Sequence, residues 1–150
     1  KLPRILIACF CFILLLMNTQ CDDDDFDYVP CDQTVVVDDS FFESAQTREY
    51  EFNSLEISDS CLFVNISASG CDGNSWSLVL VASDDVGDSF PEQRYLKLVF
   101  TNNEACLAIV SQGRSFDLRP IQVGGANEII LNIEGFSESL TYTYLCDTQL

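Results

Sequence analysis

The chain has no histidine among its 150 residues. That absence removes the commonest general base, the Ser-His and Cys-His nucleophile arrangements, and the usual catalytic zinc ligand sets. Cations are nearly as scarce: seven Lys and Arg stand against 24 Asp and Glu, a formal net charge of −17. Two of the seven, Lys1 and Arg4, open the chain, which leaves Arg48, Arg94, Lys97, Arg114 and Arg119 for everything after them. A nucleic-acid binder neutralises phosphates with basic patches; none exists here, so that class is excluded. Lys97 is the single lysine past residue 1. It lies in a strand pattern, where a solvent-facing position is expected rather than amine chemistry. After residue 20 there is also no helical period of useful length, which points away from a helical domain.

What the chain does have begins at its start. Lys1 and Arg4 precede thirteen consecutive apolar residues, Ile5 to Met17, and polarity then flips at Asn18-Thr19-Gln20. A basic end, an apolar stretch and a polar break read as a secretory signal over residues 1–20. Thirteen falls short of the roughly 18 apolar residues that span a bilayer. No Ala, Gly or Ser lies between Leu14 and Asp25, so an ordinary signal-peptidase cut is poorly supported. Cys21 directly after the polar break instead resembles a bacterial lipobox, with Asn18 and Gln20 where an aliphatic and a small residue are usual. Asp22 to Asp25 and Asp27 follow at once. This acidic run resembles the surface-export signal of Bacteroidota lipoproteins, whose lipoboxes are also loose. The resemblance implies acylation of Cys21, a membrane held as partner through that lipid, a tether over residues 21–30, and an outer-membrane, surface-exposed location. A secreted or periplasmic protein is the alternative. Residues 60–145, with the Ser115–Leu118 motif and a final Tyr-rich strand, are similar to small uncharacterised envelope lipoproteins of Bacteroidota, which imply no activity.

Cys9 and Cys11 leave with the signal. Cys21, Cys31, Cys61, Cys71, Cys106 and Cys146 remain. In an oxidising compartment they read first as disulfides. No two lie within five residues of each other and no His completes a set, so no metal or cofactor site is expected. If Cys21 is acylated, five remain and one at least is unpaired; if it is free, six close three bridges. Cys71–Cys106 is the best pair, because each cysteine borders a strand-like run where chain direction reverses. Among Cys31, Cys61 and Cys146 the choice stays open: Cys31–Cys146 would tie both ends of the domain, and Cys31–Cys61 is the rival.

From residue 31 short β-type runs alternate with turn chemistry. The runs are 34–37, 48–52 with 55–57, 61–67, 76–81, 95–100, 106–110, 116–118, 128–133 and 140–145, about nine strands at nearly even spacing. Residues 41–47 suit a short helix or a strand. The pattern predicts an all-β fold, an antiparallel immunoglobulin-like sandwich stapled by disulfides, as one domain over residues 31–147. Alternation selects the core: Leu62, Val64 and Ile66; Leu96, Leu98 and Phe100; Ile129, Leu131 and Ile133. Trp76 is expected as a core anchor.

No catalytic constellation emerges. Asp84-Asp85-Val86-Gly87-Asp88 concentrates hard oxygen ligands but lacks the EF-hand spacing, so a solvated loop is expected. Asn65-Ile66-Ser67 fits a glycosylation sequon, discounted inside a strand of a bacterial protein. The expected function is a non-enzymatic binding or structural module at the cell surface, its protein or glycan ligand unknown. Two rivals stand beside it. One is a protease inhibitor presenting residues 84–91. The other is a small carboxylate hydrolase, which requires two acids converging in a pocket, with one pKa raised.

Overall fold

A computed structural model describes residues 30–87 and 89–145 of the chain. Cys21, the acidic run, Asp88 and Cys146 lie outside the described residues. The fold is all-β, with one short helix among the described residues. Nine strands are described: β1 (Gln33–Thr34), β2 (Val36–Val37), β3 (Glu51–Ser58), β4 (Cys61–Gly70), β5 (Ser77–Gly87), β6 (Glu92–Thr101), β7 (Ala108–Asp117), β8 (Glu128–Ile133) and β9 (Leu140–Thr143). The helix, α1, spans Asp39–Ser44, and a single 3-10 turn covers Arg119–Ile121. Among the described residues no helix is long and apolar enough to cross a membrane.

The strands form two sheets, in the orders β1-β7-β4-β3 and β2-β5-β6-β8-β9. Both contribute to one apolar cluster, in which Leu62, Val64, Ile66 and Phe116 meet Leu78, Leu80, Leu96, Leu98, Phe100, Ile129 and Leu131. The period-two alternation explains this: on β4 the even-numbered residues from Leu62 to Gly70 are buried while Phe63 faces out. Each Leu, Ile or Phe fully removed from water stabilises by roughly 1.5–3 kcal/mol, so the alternating strands define the core. Trp76 is buried and meets Phe100 edge-on, ring centroids 4.9 Å apart.

The sheets are mixed rather than wholly antiparallel. β1 runs parallel to β7, β2 parallel to β5, and β6 parallel to β8. The reason lies in the connections. After β6 the chain leaves for the other sheet, forms β7, and returns as β8 beside β6, the long crossover that parallel pairing requires. The first strand divides between sheets at buried Val35. Its N–H donates to the Asp117 carbonyl at 3.2 Å in one sheet, and the N–H of Asp38 donates to the Ala82 carbonyl at 3.1 Å in the other.

Two further elements depart from the sequence reading, and one left open is decided. Residues 108–110 and 116–117, expected in separate strands, belong to one strand, β7, whose polar middle pairs residue by residue with β4. β5 continues through Asp84, Asp85, Val86 and Gly87, where a loop was expected. A register shift between Ala82 and Val86 carries the acids outward without ending the ladder. Residues 41–44 are helical because Asp38 caps them: its carboxylate accepts the Phe41 N–H at 2.8 Å. Asp39 then pins α1 to β5, accepting the Ser83 hydroxyl and the Asp84 N–H, each at 2.7 Å.

Lys97 is not solvent-facing. Its side chain is 13% exposed, its Nζ donates to the Phe42 carbonyl at 2.7 Å, and it lies 3.3 Å from Glu134 and 4.9 Å from the Phe42 ring centroid. The helix brings Phe42 over a strand residue that the local sequence places at the surface.

Candidate functional site

Two disulfides staple the two ends of β4. Cys61, at its start, is joined to Cys31, Cα atoms 5.8 Å apart. Cys71, directly after its end, is joined to Cys106, Cα atoms 4.9 Å apart. Ten residues of strand at ~3.3 Å each place the bridges roughly 30 Å from one another. Cys71 and Cys106 thus join the β4–β5 turn to the β6–β7 connection, and Cys31 joins the first described residues to β4. Residues 84–87 are strand, so the segment 84–91 is not a single presented loop; Phe90 is nevertheless fully exposed.

At the Cys71 end the turn chemistry builds a small cradle. Gly73 adopts a positive φ of 74°, which turns successive backbone N–H groups toward one point. Glu104 fills it. One carboxylate oxygen accepts the N–H groups of Cys71 (2.5 Å), Gly73 (3.2 Å) and Asp72 (3.3 Å), and the other accepts the Ser75 hydroxyl (2.9 Å). Desolvation pushes this carboxyl up, but the donors from Cys71, Ser75 and Gly73 outweigh it and hold its pKa at about 2. Glu104 is a fixed acceptor with no proton to give. Gly70 closes the arrangement, since a Cβ there would sit 2.7 Å from Glu104 Oε2 and 2.8 Å from Trp76 Cζ2.

Beside the cradle lies an open depression of about 600 Å³, bordered by Arg48, Glu49, Ser69, Phe100, Asn102 and Glu104. A second, of about 610 Å³, adjoins it across Arg48 and Glu49 and is bordered by Tyr50, Phe52, Glu134 and Phe136. Tyr50 donates to the Leu98 carbonyl at 3.3 Å; burial, then the Glu134 charge, pushes its pKa up to about 12. The depressions offer a guanidinium, amides and aromatic edges, groups that hold a polar ligand by hydrogen bonds and stacking. The carboxyls of Asp32, Asp38 and Glu104 are all held below their usual range by the donors they accept. That is the direction of an anion held by donors, opposite to a general acid.

The Cys31 end is built differently. Asp32 accepts the N–H and hydroxyl of Ser115 at 2.8 and 2.9 Å, and these bonds, the backbone one first, lower its pKa. Arg119 grips Asp117 through Nε and Nη2, the shortest contact 2.6 Å. A depression of about 380 Å³ lies near this end, bordered by Asp59, Arg119, Gln122, Tyr142 and Tyr144.

The sequence reading found the cysteines but missed Glu104 and Asp32. Nothing local marks either: Glu104 bonds residues 31–33 positions away and Asp32 bonds Ser115 across 83. The one usable signal was Asp72-Gly73-Asn74, a turn whose inward N–H groups need an acceptor.

No family model and no curated protein matches the chain. Its fold is similar to the crystal structure of a protein of unknown function, DUF1344, from Bacteroides vulgatus ATCC 8482, with a TM-score of 0.53 at 17% identity. The match covers 80% of this chain and 59% of that one, a likeness of fold alone.

Proposed function

We propose that the chain is a cell-surface lipoprotein, anchored through Cys21, whose β domain is a non-enzymatic binding or structural module. The observation that carries this reading is the polarity of the domain. Its first described residues are bonded to one end of β4 through Cys31–Cys61, while the cradle, the depressions and Cys71–Cys106 occupy the other end. A chain from Cys21 to Cys31 spans at most ~35 Å, and its five carboxylates are repelled by an anionic membrane surface. The anchor therefore presents the Cys71 end outward. We read the two sheets as an immunoglobulin-like sandwich, supported by their common core and marked off from the all-antiparallel kind by the parallel pairs.

With Cys31–Cys61 and Cys71–Cys106 closed and Cys21 acylated, Cys146 is left as the single thiol. Intact mass of the membrane-extracted protein after thiol alkylation tests this. The expected species begins at acylated Cys21 and takes up one alkyl group. A soluble species that begins elsewhere, with no thiol to alkylate, contradicts the anchor. The inhibitor reading keeps one favouring observation: Leu107 is 89% exposed immediately after the Cys71–Cys106 bridge. Titration against a panel of proteases decides it, and slow, stoichiometric inhibition of any of them would favour it over the module.

A further inference from the structure

Sheet edges expose unpaired N–H and C=O groups, and proteins guard them with charge, bulges or brevity. β2 and β9 are two and four residues long. β3 is longer, but it carries exposed Glu51 and Glu56 and a register shift between Phe52 and Ser54. Before Asp117, β7 carries a single charged side chain, Arg114, whose Nη1 donates to the Gly113 carbonyl at 2.8 Å, and its ladder with β4 has no bulge. It is ten residues long, and β1 covers only Phe116 and Asp117 on the side away from β4.

Alternate residues of an antiparallel strand direct both backbone groups to the same side. The Ser115 N–H is taken by Asp32 and the Asp117 carbonyl by Val35, so the odd-numbered residues face this side. Ile109, Ser111 and Gly113 therefore present their backbone groups there, the Gly113 carbonyl already accepting Arg114, and among the described residues no strand pairs with them on that side. All three are exposed, Ile109 at 75%, next to Leu107. From Ala105 through Phe116 there is no acid, in a chain with 24. Two acids lie near the edge, one beside Ser115 and one beside the residue that Gln112 reaches. Asp32 sits on Ser115, and Asp72 adjoins Gly73, whose carbonyl accepts the Gln112 side chain at 2.6 Å.

We propose that the β7 edge from Ile109 to Gly113 takes an extended peptide segment of another protein as an added strand, neutral along its middle and cationic at its flanks. The added strand forms backbone bonds with Ile109, Ser111 and Gly113, and its alternate side chains lie beside Leu107 and Ile109. Charge selects the partner. A second copy would bring −17 against −17, whereas cationic flanks meet Asp32 and Asp72. This names a partner class for the surface module and rests on that reading only for where the encounter happens. Binding in solution does not depend on the anchor, so either idea can fail without the other.

The test uses the purified mature chain and a blocked seven-residue peptide of alternating valine and threonine with a lysine at each end. Anisotropy of the labelled peptide reports binding, and amide exchange reports the site. The amides of Ile109, Ser111 and Gly113 are expected to gain at least tenfold protection. N-methylation of alternate peptide residues, or glutamates in place of the lysines, is expected to weaken binding at least tenfold. Gly113→Pro, which removes one edge N–H, and Ile109→Lys are expected to do the same, while Glu56→Gln on β3 leaves binding unchanged. If Gly113→Pro fails to fold, Ile109→Lys and the N-methylated peptide still decide. Equal binding of the N-methylated or acidic peptide, protection confined to other strands, or self-association that protects the same amides without peptide overturns the proposal.

Discussion

At the start of β4, Cys61 is bridged to Cys31 and its surroundings are sealed: Ser115, Asp117, Leu118 and Ile121 are all buried. At the end of β4, Cys71 is bridged to Cys106, and the chain around it is open: Asp72, Asn74, Ser75 and the whole run Ala105 to Ile109 are exposed. Each end pairs a disulfide with a carboxylate that accepts backbone N–H, one N–H at Asp32 and three at Glu104. At the sealed end these devices lock the entry of the chain onto the sheet. At the open end they hold loops rigid in water, with little core beneath them to do so. Rigid, exposed loops lose little entropy on binding, which makes the open end the place to seek a ligand.

The comparison breaks most visibly in the disulfides. The bridges close segments of 30 and 35 residues, so chain entropy assigns both about 4 kcal/mol. Cys31→Ser with Cys61→Ser, and Cys71→Ser with Cys106→Ser, are expected to lose similar stability in urea melts. Their reduction differs: Cys61 is buried whereas Cys71 and Cys106 are exposed, so titration with a thiol reductant opens Cys71–Cys106 first. Opening of Cys31–Cys61 first would invert the two ends.

Gly70→Ala comes next. Its Cβ meets Glu104 and Trp76 below 3.0 Å, and while the carboxylate can yield, the buried indole cannot easily do so. A loss of about 2 kcal/mol is expected in urea melts, the middle of the range for overpacking. Asp38→Ala removes the α1 cap, away from both ends, and is expected to lose about 1 kcal/mol without changing the reduction order.

Both ends also respond to acid. Glu104 is lowered from 4.5 to about 2, so its contribution is complete above pH 4.5 and is lost as pH falls through about 2. Asp32 is lowered from 3.8, so its contribution starts to go only below pH 3.8. Amide exchange is therefore expected to loosen residues 71–75 and Ser115 as pH falls from 5 to 2. Glu104→Gln removes the pH dependence at residues 71–75 and Asp32→Asn that at Ser115.

Period-two alternation made the core legible, because Leu62 to Ile66, Leu96 to Phe100 and Ile129 to Ile133 each place one apolar row on one face. Bordering position made Cys71 and Cys106 a natural pair. What could not be read was set by distant parts of the chain. Ser111 to Ser115 are polar, yet they are strand because β4 supplies the ladder. Asp84 and Asp85 look like loop, yet Asp39 and the Ser83 hydroxyl accept their N–H groups and the ladder to β6 resumes at Val86. Lys97 lies under a helix that the sequence reading left open as helix or strand, and Glu104 answers N–H groups more than thirty residues earlier.

In the proposed orientation the Cys71 end faces outward from a membrane held at the Cys31 end. The most direct measurement of that orientation is labelling of intact cells by a membrane-impermeant maleimide, with single cysteines introduced as Asn103→Cys and Asp59→Cys in a Cys146→Ser background. The account predicts prompt labelling at 103 and slower labelling at 59. Labelling at neither site until the cells are lysed, or at 59 ahead of 103, would contradict it.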